Sequence, residues 1–162
     1  MALLGLLIGS HVHAADTLQL ARLDGDRATL IELGVDGERH SMPLPSTLTT
    51  PLGSVWKLYV HAYALDRKLP DPGYQCTGQN IDEVYCCDPG QRIDRDQALV
   101  HSCGLYYAPA RLGIDASSWR AYWQARKAPA WLLDLSTLQP QTEVPVAELL
   151  ASLSVVAVLV SP

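Results

Sequence analysis

The chain has 162 residues, of which 48% are hydrophobic and 18% charged, and its formal net charge at pH 7 is −5. This length accommodates one domain with a buried core, and the hydrophobic content is too high for a disordered chain. The acidic balance and the scattered lysines and arginines argue against a basic nucleic-acid-binding face, so no nucleic-acid partner is expected.

Residues 1–14 have the features of a signal segment. An apolar run from Ala2 to Ile8 is followed by Val12-His13-Ala14, the small-residue spacing after which signal peptidases cut. Because no lysine or arginine precedes the apolar run, a buried first strand or helix is the alternative interpretation. A signal segment predicts a periplasmic or secreted bacterial protein.

Residues 15–45 are expected to hold a β-hairpin. Apolar and polar residues alternate on both sides of Asp24-Gly25-Asp26, which is a turn signal between two strands. Residues 36–53 follow with three prolines and several serines and threonines, a composition that predicts a loop across the surface.

A helix is predicted to start at Ser54. Apolar residues recur at helical spacing as far as Leu69, and Pro70-Asp71-Pro72-Gly73 follows, so we expect a helix of about four turns. Ser54 and Lys57 lie one turn apart, which suits a hydroxyl nucleophile and an amine base. On this spacing alone, a helix-capping serine with a solvated lysine is the favoured alternative, because Ser-x-x-Lys arises often by chance.

The four cysteines are clustered within residues 76–103. In an exported chain an even, clustered set predicts two disulfides, and neighbouring cysteines do not bridge each other readily. The pairings are therefore 76–86 with 87–103, or 76–87 with 86–103. A zinc site with His101 is the competing interpretation, but no Cys-x-x-Cys pair is present, so we expect no metal and no cofactor. The cysteines are Cys76, Cys86, Cys87 and Cys103.

Three further helices are predicted downstream, at residues 94–102, 117–127 and 144–153. The second of these spaces Trp119, Tyr122 and Trp123 along one face, which is typical of a core-facing stripe. Residues 151–162 form an apolar tail, and the run from Val155 is far shorter than the roughly 20 residues of a membrane-spanning helix. No transmembrane span is expected.

Two motifs in order resemble those of the penicillin-binding transpeptidases and serine β-lactamases. "PLGSVWKLYV" (51–60) is similar to the active-site segment of that family, in which Ser-x-x-Lys follows a Pro/Gly-containing loop and opens a buried helix. Residues 74–115 resemble the stretch that carries the second motif, here Ser102-Cys103-Gly104-Leu105-Tyr106-Tyr107. The variants Gly-Ser-x-Trp-Lys and Ser-Cys-Gly-Leu-Tyr look closest to an uncharacterised group of secreted bacterial proteins with a domain of unknown function.

The resemblance implies that Ser54 is the acyl-accepting nucleophile, Lys57 its general base and Ser102 the hydroxyl that relays protons to the leaving group. It also implies a peptidoglycan-like peptide substrate. The chain departs from the family pattern in two places. Gly104 stands where Asn or Asp usually orients the substrate amide, and the third motif, Lys-Thr/Ser-Gly, is absent because the only lysine after Ser102 is Lys127.

The fold class implied by the resemblance is α+β. It would be a partial transpeptidase-like fold, with an N-terminal hairpin, an active-site helix and a helical region over residues 46–150, and without the later sheet strands. Three functions stay open: a periplasmic serine acyltransferase or hydrolase, a non-catalytic descendant that binds cell-wall fragments or a cell-wall protein partner, and a disulfide-stapled exported domain of unrelated fold.

Overall fold

The computed structural model describes residues 17–25 and 27–159, so the predicted signal segment at residues 1–14 lies outside the described residues. The chain forms two compact units, Met1–Pro45 and Ser46–Pro162. Within the described residues the architecture is mixed α+β, with small antiparallel sheets and several helices. The coarse fold class expected from the sequence is therefore confirmed.

The first unit contains a three-stranded antiparallel sheet, ordered β1-β2-β3. The predicted hairpin is confirmed, because β1 and β2 pair with Asp24 opposite Arg27 and Gly25 has the φ of +58° that a tight turn requires. The strands are β1 (Thr17–Asp24), β2 (Arg27–Gly34) and β3 (Arg39–Pro43).

The third strand corrects the prediction of a continuous loop over residues 36–53. Asp36 and Gly37 form a turn in which the Gly37 N–H donates to the Gly34 carbonyl oxygen at 3.0 Å. This turn reverses the chain, so Arg39–Pro43 pairs with β2. Proline content misled the prediction, because Pro43 ends the strand and does not interrupt it.

The second unit is built around one buried helix, α1. A 3₁₀ turn at Gly53–Val55 leads into it, and eight of its eleven residues are buried. The helices are α1 (Trp56–Asp66), α2 (Arg95–Val100), α3 (Gly104–Tyr107), α4 (Ala116–Ala125) and α5 (Val146–Leu159). The strands are β4 (Thr49–Pro51), which pairs with β7 (Glu143–Pro145), and β5 (Tyr74–Gln75), which pairs with β6 (Arg92–Ile93).

Helix α1 ends earlier than the apolar spacing predicts. Lys68 adopts a left-handed φ of 51°, and the N–H groups of Lys68 and Leu69 donate to the carbonyl oxygens of Leu65 and Ala64. These are the two hydrogen bonds of a Schellman motif, which terminates a helix by reversing the chain. Leu69 therefore lies beyond the helix, and the stop precedes the prolines.

The three helices predicted downstream are present as α2, α4 and α5. The aromatic stripe on α4 is in the core, since Trp119 and Trp123 are fully buried and pack edge-on against each other. Both also contact tyrosines of α1, Trp123 edge-on and Trp119 at a tilt of 48°. Residues 151–159 continue α5. Among residues 17–25 and 27–159, no helix combines the length and apolar character needed to cross a membrane.

The disulfides join Cys76 to Cys87 and Cys86 to Cys103, the second of the two pairings left open by the sequence. No cysteine is free, so none offers a thiolate to a zinc ion. The 3₁₀ segment Ile81–Tyr85 precedes the two adjacent cysteines. The bridge from Cys86 thus ties this segment to the start of α3.

A buried carboxylate fastens the same segment. Glu83 accepts hydrogen bonds from the N–H groups of Thr77 at 3.0 Å and Gly78 at 2.6 Å, and from the Tyr74 hydroxyl at 3.0 Å. Burial raises the pKa of Glu83, but these hydrogen bonds outweigh burial and hold the pKa below its usual 4.5.

We predict that Glu83 stabilises the fold above its unfolded-state pKa and that this stability is lost as the pH falls through the lowered folded-state pKa. The free energy of unfolding, measured by urea denaturation between about pH 7 and pH 2, should be smaller for Glu83→Gln than for wild type at pH 7. The difference should shrink as the solution is acidified. The exposed Glu143→Gln variant is the control, and parallel curves for wild type and Glu83→Gln would contradict the prediction.

Candidate active site

Ser54 lies where β4 gives way to the 3₁₀ turn ahead of α1. The N–H groups of Leu52 and Gly53 donate to the carbonyl oxygens of Thr142 and Pro140, each at 2.8 Å. Gly53 has a φ of +53°, which allows the chain to turn sharply from strand into helix. The Ser54 side chain is thereby presented to solvent at a fixed point of the second unit.

Lys57 is the centre of the site. Its Nζ donates hydrogen bonds to Ser54 Oγ at 2.9 Å and to Ser102 Oγ at 3.0 Å, although Ser102 is 45 residues away in the sequence. The structure therefore brings together all three residues that the sequence singled out.

The Lys57 amine is unusually placed for a lysine. The side chain is only 7% exposed, and none of the ion pairs among the described residues includes it. Burial lowers the pKa of Lys57 from its ordinary value of 10.5, because the charged form loses its hydration. The neutral amine, which has a lone pair to accept a proton, is therefore more accessible here than in an exposed lysine.

Ser102 is positioned by the end of α2. Its φ is 58°, and the N–H groups of Ser102 and Cys103 donate to the carbonyl oxygens of Leu99 and Ala98. This is a second Schellman motif, with serine at the left-handed position that usually carries glycine. Lys68 occupies the equivalent position of α1, so the contact with Lys57, and not the φ angle, marks Ser102 as a site residue.

Two further constraints hold the Ser102 loop. The next residue, Cys103, is bridged to Cys86 and is the N-cap of α3. Behind the loop, the Tyr107 hydroxyl donates to the Arg95 carbonyl oxygen at 2.6 Å and lies 2.9 Å from His61 Nδ1. Because the Tyr107 hydroxyl already donates its proton to Arg95, the hydrogen bond between Tyr107 and His61 is donated by His61 Nδ1–H. These contacts tie α2 and α3 to α1.

A cleft of about 680 Å³ opens at the three polar groups. Asp82 and Tyr85 lie on one side of the 3₁₀ segment, three residues apart, and both line it. A smaller depression of about 250 Å³, with Val55, Leu58 and Leu99 in its walls, also reaches the three groups. The residues that line the cleft are Ser54, Trp56, Lys57, Asp82, Tyr85, His101, Ser102, Gly104, Leu105, Ala108, Pro109, Leu138, Gln139 and Pro140.

Of the two departures from the transpeptidase pattern, the one at Gly104 lies in the cleft. A Cβ atom at Gly104 would lie 3.7 Å from Lys57 Cε, so the glycine backbone is beside the amine but offers it no side chain. Lys127 lines a different pocket, with Trp123 and Arg126. Among the residues that the structure describes, no cluster of three or more His, Cys, Asp or Glu side chains is suited to hold a metal ion.

Sequence reasoning gave no role to Trp56 or to residues 138–140, although all of them line the cleft. Trp56 could have been noticed, because it stands between the candidate nucleophile and base. Residues 138–140 carry no such signal, since their position depends on the pairing of β4 with the distant β7.

We predict that Lys57→Met is more stable to urea than wild type by about 1 kcal/mol at pH 7, because methionine fills the site without a buried amine. The gain should be largest below the lowered folded-state pKa of Lys57 and should shrink as the pH rises through that pKa towards 10.5, because a protonated, desolvated amine is what destabilises the wild-type fold. Lys68→Met, at an exposed position, is the matched control. A destabilised Lys57→Met, or a gain that does not vary with pH, would count against a desolvated Lys57.

Comparison with known proteins places the chain among secreted proteins of unknown function. The chain is 52% identical over 137 residues to the uncharacterized protein YfaQ of Escherichia coli (strain K12). The match covers 85% of this chain but 25% of that relative, so the chain spans about a quarter of the relative's length. No solved structure matches the chain.

The profile of one protein family matches residues 78–159, just over half of the chain. The matched region contains Ser102 and all cysteines except Cys76, and it begins after Ser54 and Lys57. The family is described as secreted, which agrees with two disulfides and an extracytoplasmic location. The chain belongs to the family described as "Predicted secreted protein (DUF2300)".

Proposed function

We propose that the cleft is the active site of a serine acyltransferase or hydrolase, in which Ser54 accepts an acyl group from a peptide or peptidoglycan-like amide. The observation that carries this proposal is the pair of hydrogen bonds from buried Lys57 Nζ to Ser54 Oγ at 2.9 Å and to Ser102 Oγ at 3.0 Å. A nucleophile, a base and a second hydroxyl within direct hydrogen-bonding reach are what acyl transfer to serine requires.

The acylation step follows from these contacts. For the reaction, the Ser54 hydroxyl donates across the 2.9 Å contact to the lone pair of neutral Lys57 Nζ. Nζ takes this proton while Oγ bonds to the substrate carbonyl carbon, and the carbonyl π electrons move to oxygen. When the tetrahedral intermediate collapses, the C–N bond breaks and the Ser102 hydroxyl passes a proton from the Lys57 ammonium to the departing amine. This leaves a Ser54 ester and a neutral lysine, and water or an acceptor amine then releases the acyl group.

The Ser54 backbone N–H is the proposed donor to the oxyanion. The neighbouring N–H groups are occupied, since Gly53 donates to Pro140 and Val55 to Leu52, whereas no acceptor for the Ser54 N–H is found among the described residues. An N–H at the start of a helical segment also carries the partial positive charge of the helix end. Such fixed donors stabilise developing negative charge without reorganisation.

The relation to penicillin-binding transpeptidases and serine β-lactamases is part of the same proposal. It is supported by the order of the two motifs and by the convergence of Ser54, Lys57 and Ser102 in the fold. The secreted family and the disulfides place the site outside the cytoplasm, where peptidoglycan offers amide bonds. For the longer E. coli relative, the same acyl-transfer activity is a proposal that rests on these observations alone.

We predict that a fluorescent penicillin or fluorophosphonate labels the oxidised full chain and that Ser54→Ala abolishes the label. Ser102→Ala should lower the labelling rate roughly 100-fold, the size expected for one member of a proton relay. Ser154→Ala, which lies on α5 outside the cleft, is the control and should label like wild type.

Two results would contradict the assignment. The first is equal labelling of wild type and Ser54→Ala, which would show that another group reacts. The second is an unlabelled wild type that binds cell-wall fragments as tightly as Ser54→Ala does. That result would favour the non-catalytic module that binds cell-wall fragments. The feature that supports this alternative is Gly104, which has no side chain to orient a substrate amide.

A further inference from the structure

The indole N–H groups of the four tryptophans differ in their hydrogen-bond partners and in their exposure to solvent. Trp119 Nε1 donates to the Leu132 carbonyl oxygen at 2.7 Å, and Nε1 of Trp123 and Trp131 is sealed from solvent without a partner. Trp56 Nε1 has no acceptor among the described residues either, but it is not one of the sealed atoms. Because Trp56 lines the cleft, its indole N–H is a free donor available to a molecule bound there.

Trp56 also adjoins the reacting groups. Lys57 Nζ lies 5.4 Å from the centre of the indole ring. A Cβ at Gly104, which would lie 3.7 Å from Lys57 Cε, would also lie 3.8 Å from Trp56 Cζ2, an ordinary contact distance, so the ring is beside the glycine. The indole thus forms a wall of the cleft beside Lys57, at the place where the Ser102 segment offers only backbone.

We propose that Trp56 orients the substrate, by donating its indole N–H to a carbonyl oxygen of the amide that flanks the scissile bond. This inference rests on the proposed function and names the group that holds the acyl donor over Ser54. The substrate class is accordingly an amide with a second carbonyl acceptor near the reacting one.

Rigidity favours Trp56 over the other side-chain donors of the cleft. It is the first residue of α1 and is only 8% exposed, whereas, apart from Lys57, the other long donor side chains of the cleft are all exposed: Tyr85, His101 and Gln139. A donor held by packing loses little entropy when a ligand binds, so it positions the ligand more precisely than a solvated side chain does. A substrate without the acceptor oxygen would leave the indole N–H unpaired and be bound less tightly.

The direct test is the indole ¹H–¹⁵N resonance of Trp56 in the full oxidised chain, assigned by its disappearance in Trp56→Phe. We expect N-acetylglycinamide at millimolar concentration to shift this resonance downfield and saturably, while the other three indole resonances stay in place. An unmoved Trp56 resonance, or equal shifts of all four, would overturn the inference. The readout needs no turnover, so it is separate from the labelling that tests Ser54.

A labelling-rate measurement distinguishes hydrogen-bond donation by the Trp56 indole N–H from packing of the Trp56 ring. Trp56→Phe keeps a ring but removes the N–H, and it should slow labelling of Ser54 by the fluorescent penicillin, whose side-chain amide supplies the acceptor carbonyl, about tenfold, the size of one hydrogen bond. Trp131→Phe is the matched control, since Trp131 does not line the cleft, and its folded fraction should label at the wild-type rate. Normal labelling of Trp56→Phe would overturn the role of the indole and leave Ser54 as the nucleophile.

Discussion

The site depends on one interaction, the contact of a buried amine with two hydroxyl groups that come from distant parts of the chain. Lys57 Nζ is 2.9 Å from Ser54 Oγ and 3.0 Å from Ser102 Oγ, and the side chain is almost sealed from solvent. An amine in such a place is stable only with polar partners, and its charge is disfavoured by the lost hydration. The two uncharged serines satisfy the amine without stabilising its charge, whereas a carboxylate would favour the charged form.

Other elements of the second unit hold Lys57, Ser54 and Ser102 in this contact. Helix α1 is buried on nearly all sides, which fixes the direction of the lysine. The left-handed end of α2 and the Cys86–Cys103 bridge fix Ser102. The turn before Ser54 is fixed by backbone N–H groups that donate to the carbonyl oxygens of Pro140 and Thr142. A buried lysine without an ion-pair partner is unfavourable for the fold taken alone. Features of this kind are retained where they serve a site, at the expense of stability.

Local patterns predicted much of this structure. The hairpin followed from alternation around Gly25, and α2, α4 and α5 followed from apolar spacing. Two predictions failed because backbone pairing decided the outcome. Arg39–Pro43 forms a strand because β2 offers it an edge, and α1 ends before Lys68 through backbone hydrogen bonds that no side-chain pattern encodes. The sequence placed Ser54 near Lys57 by spacing, but Ser102 entered only through a resemblance between motifs. The disulfide pairing and the cleft wall at Trp56 required the three-dimensional contacts.

The central claim is that the fold holds Lys57 as a base with a lowered pKa. The most direct measurement is the titration of its side-chain ¹³Cε resonance in lysine-labelled protein, with the signal assigned by its loss in Lys57→Met. The midpoint should lie below 10.5, because the desolvated ammonium loses its proton more easily than an exposed one. A midpoint at or above 10.5 would show that the amine stays charged at neutral pH, and Lys57 could not then activate Ser54.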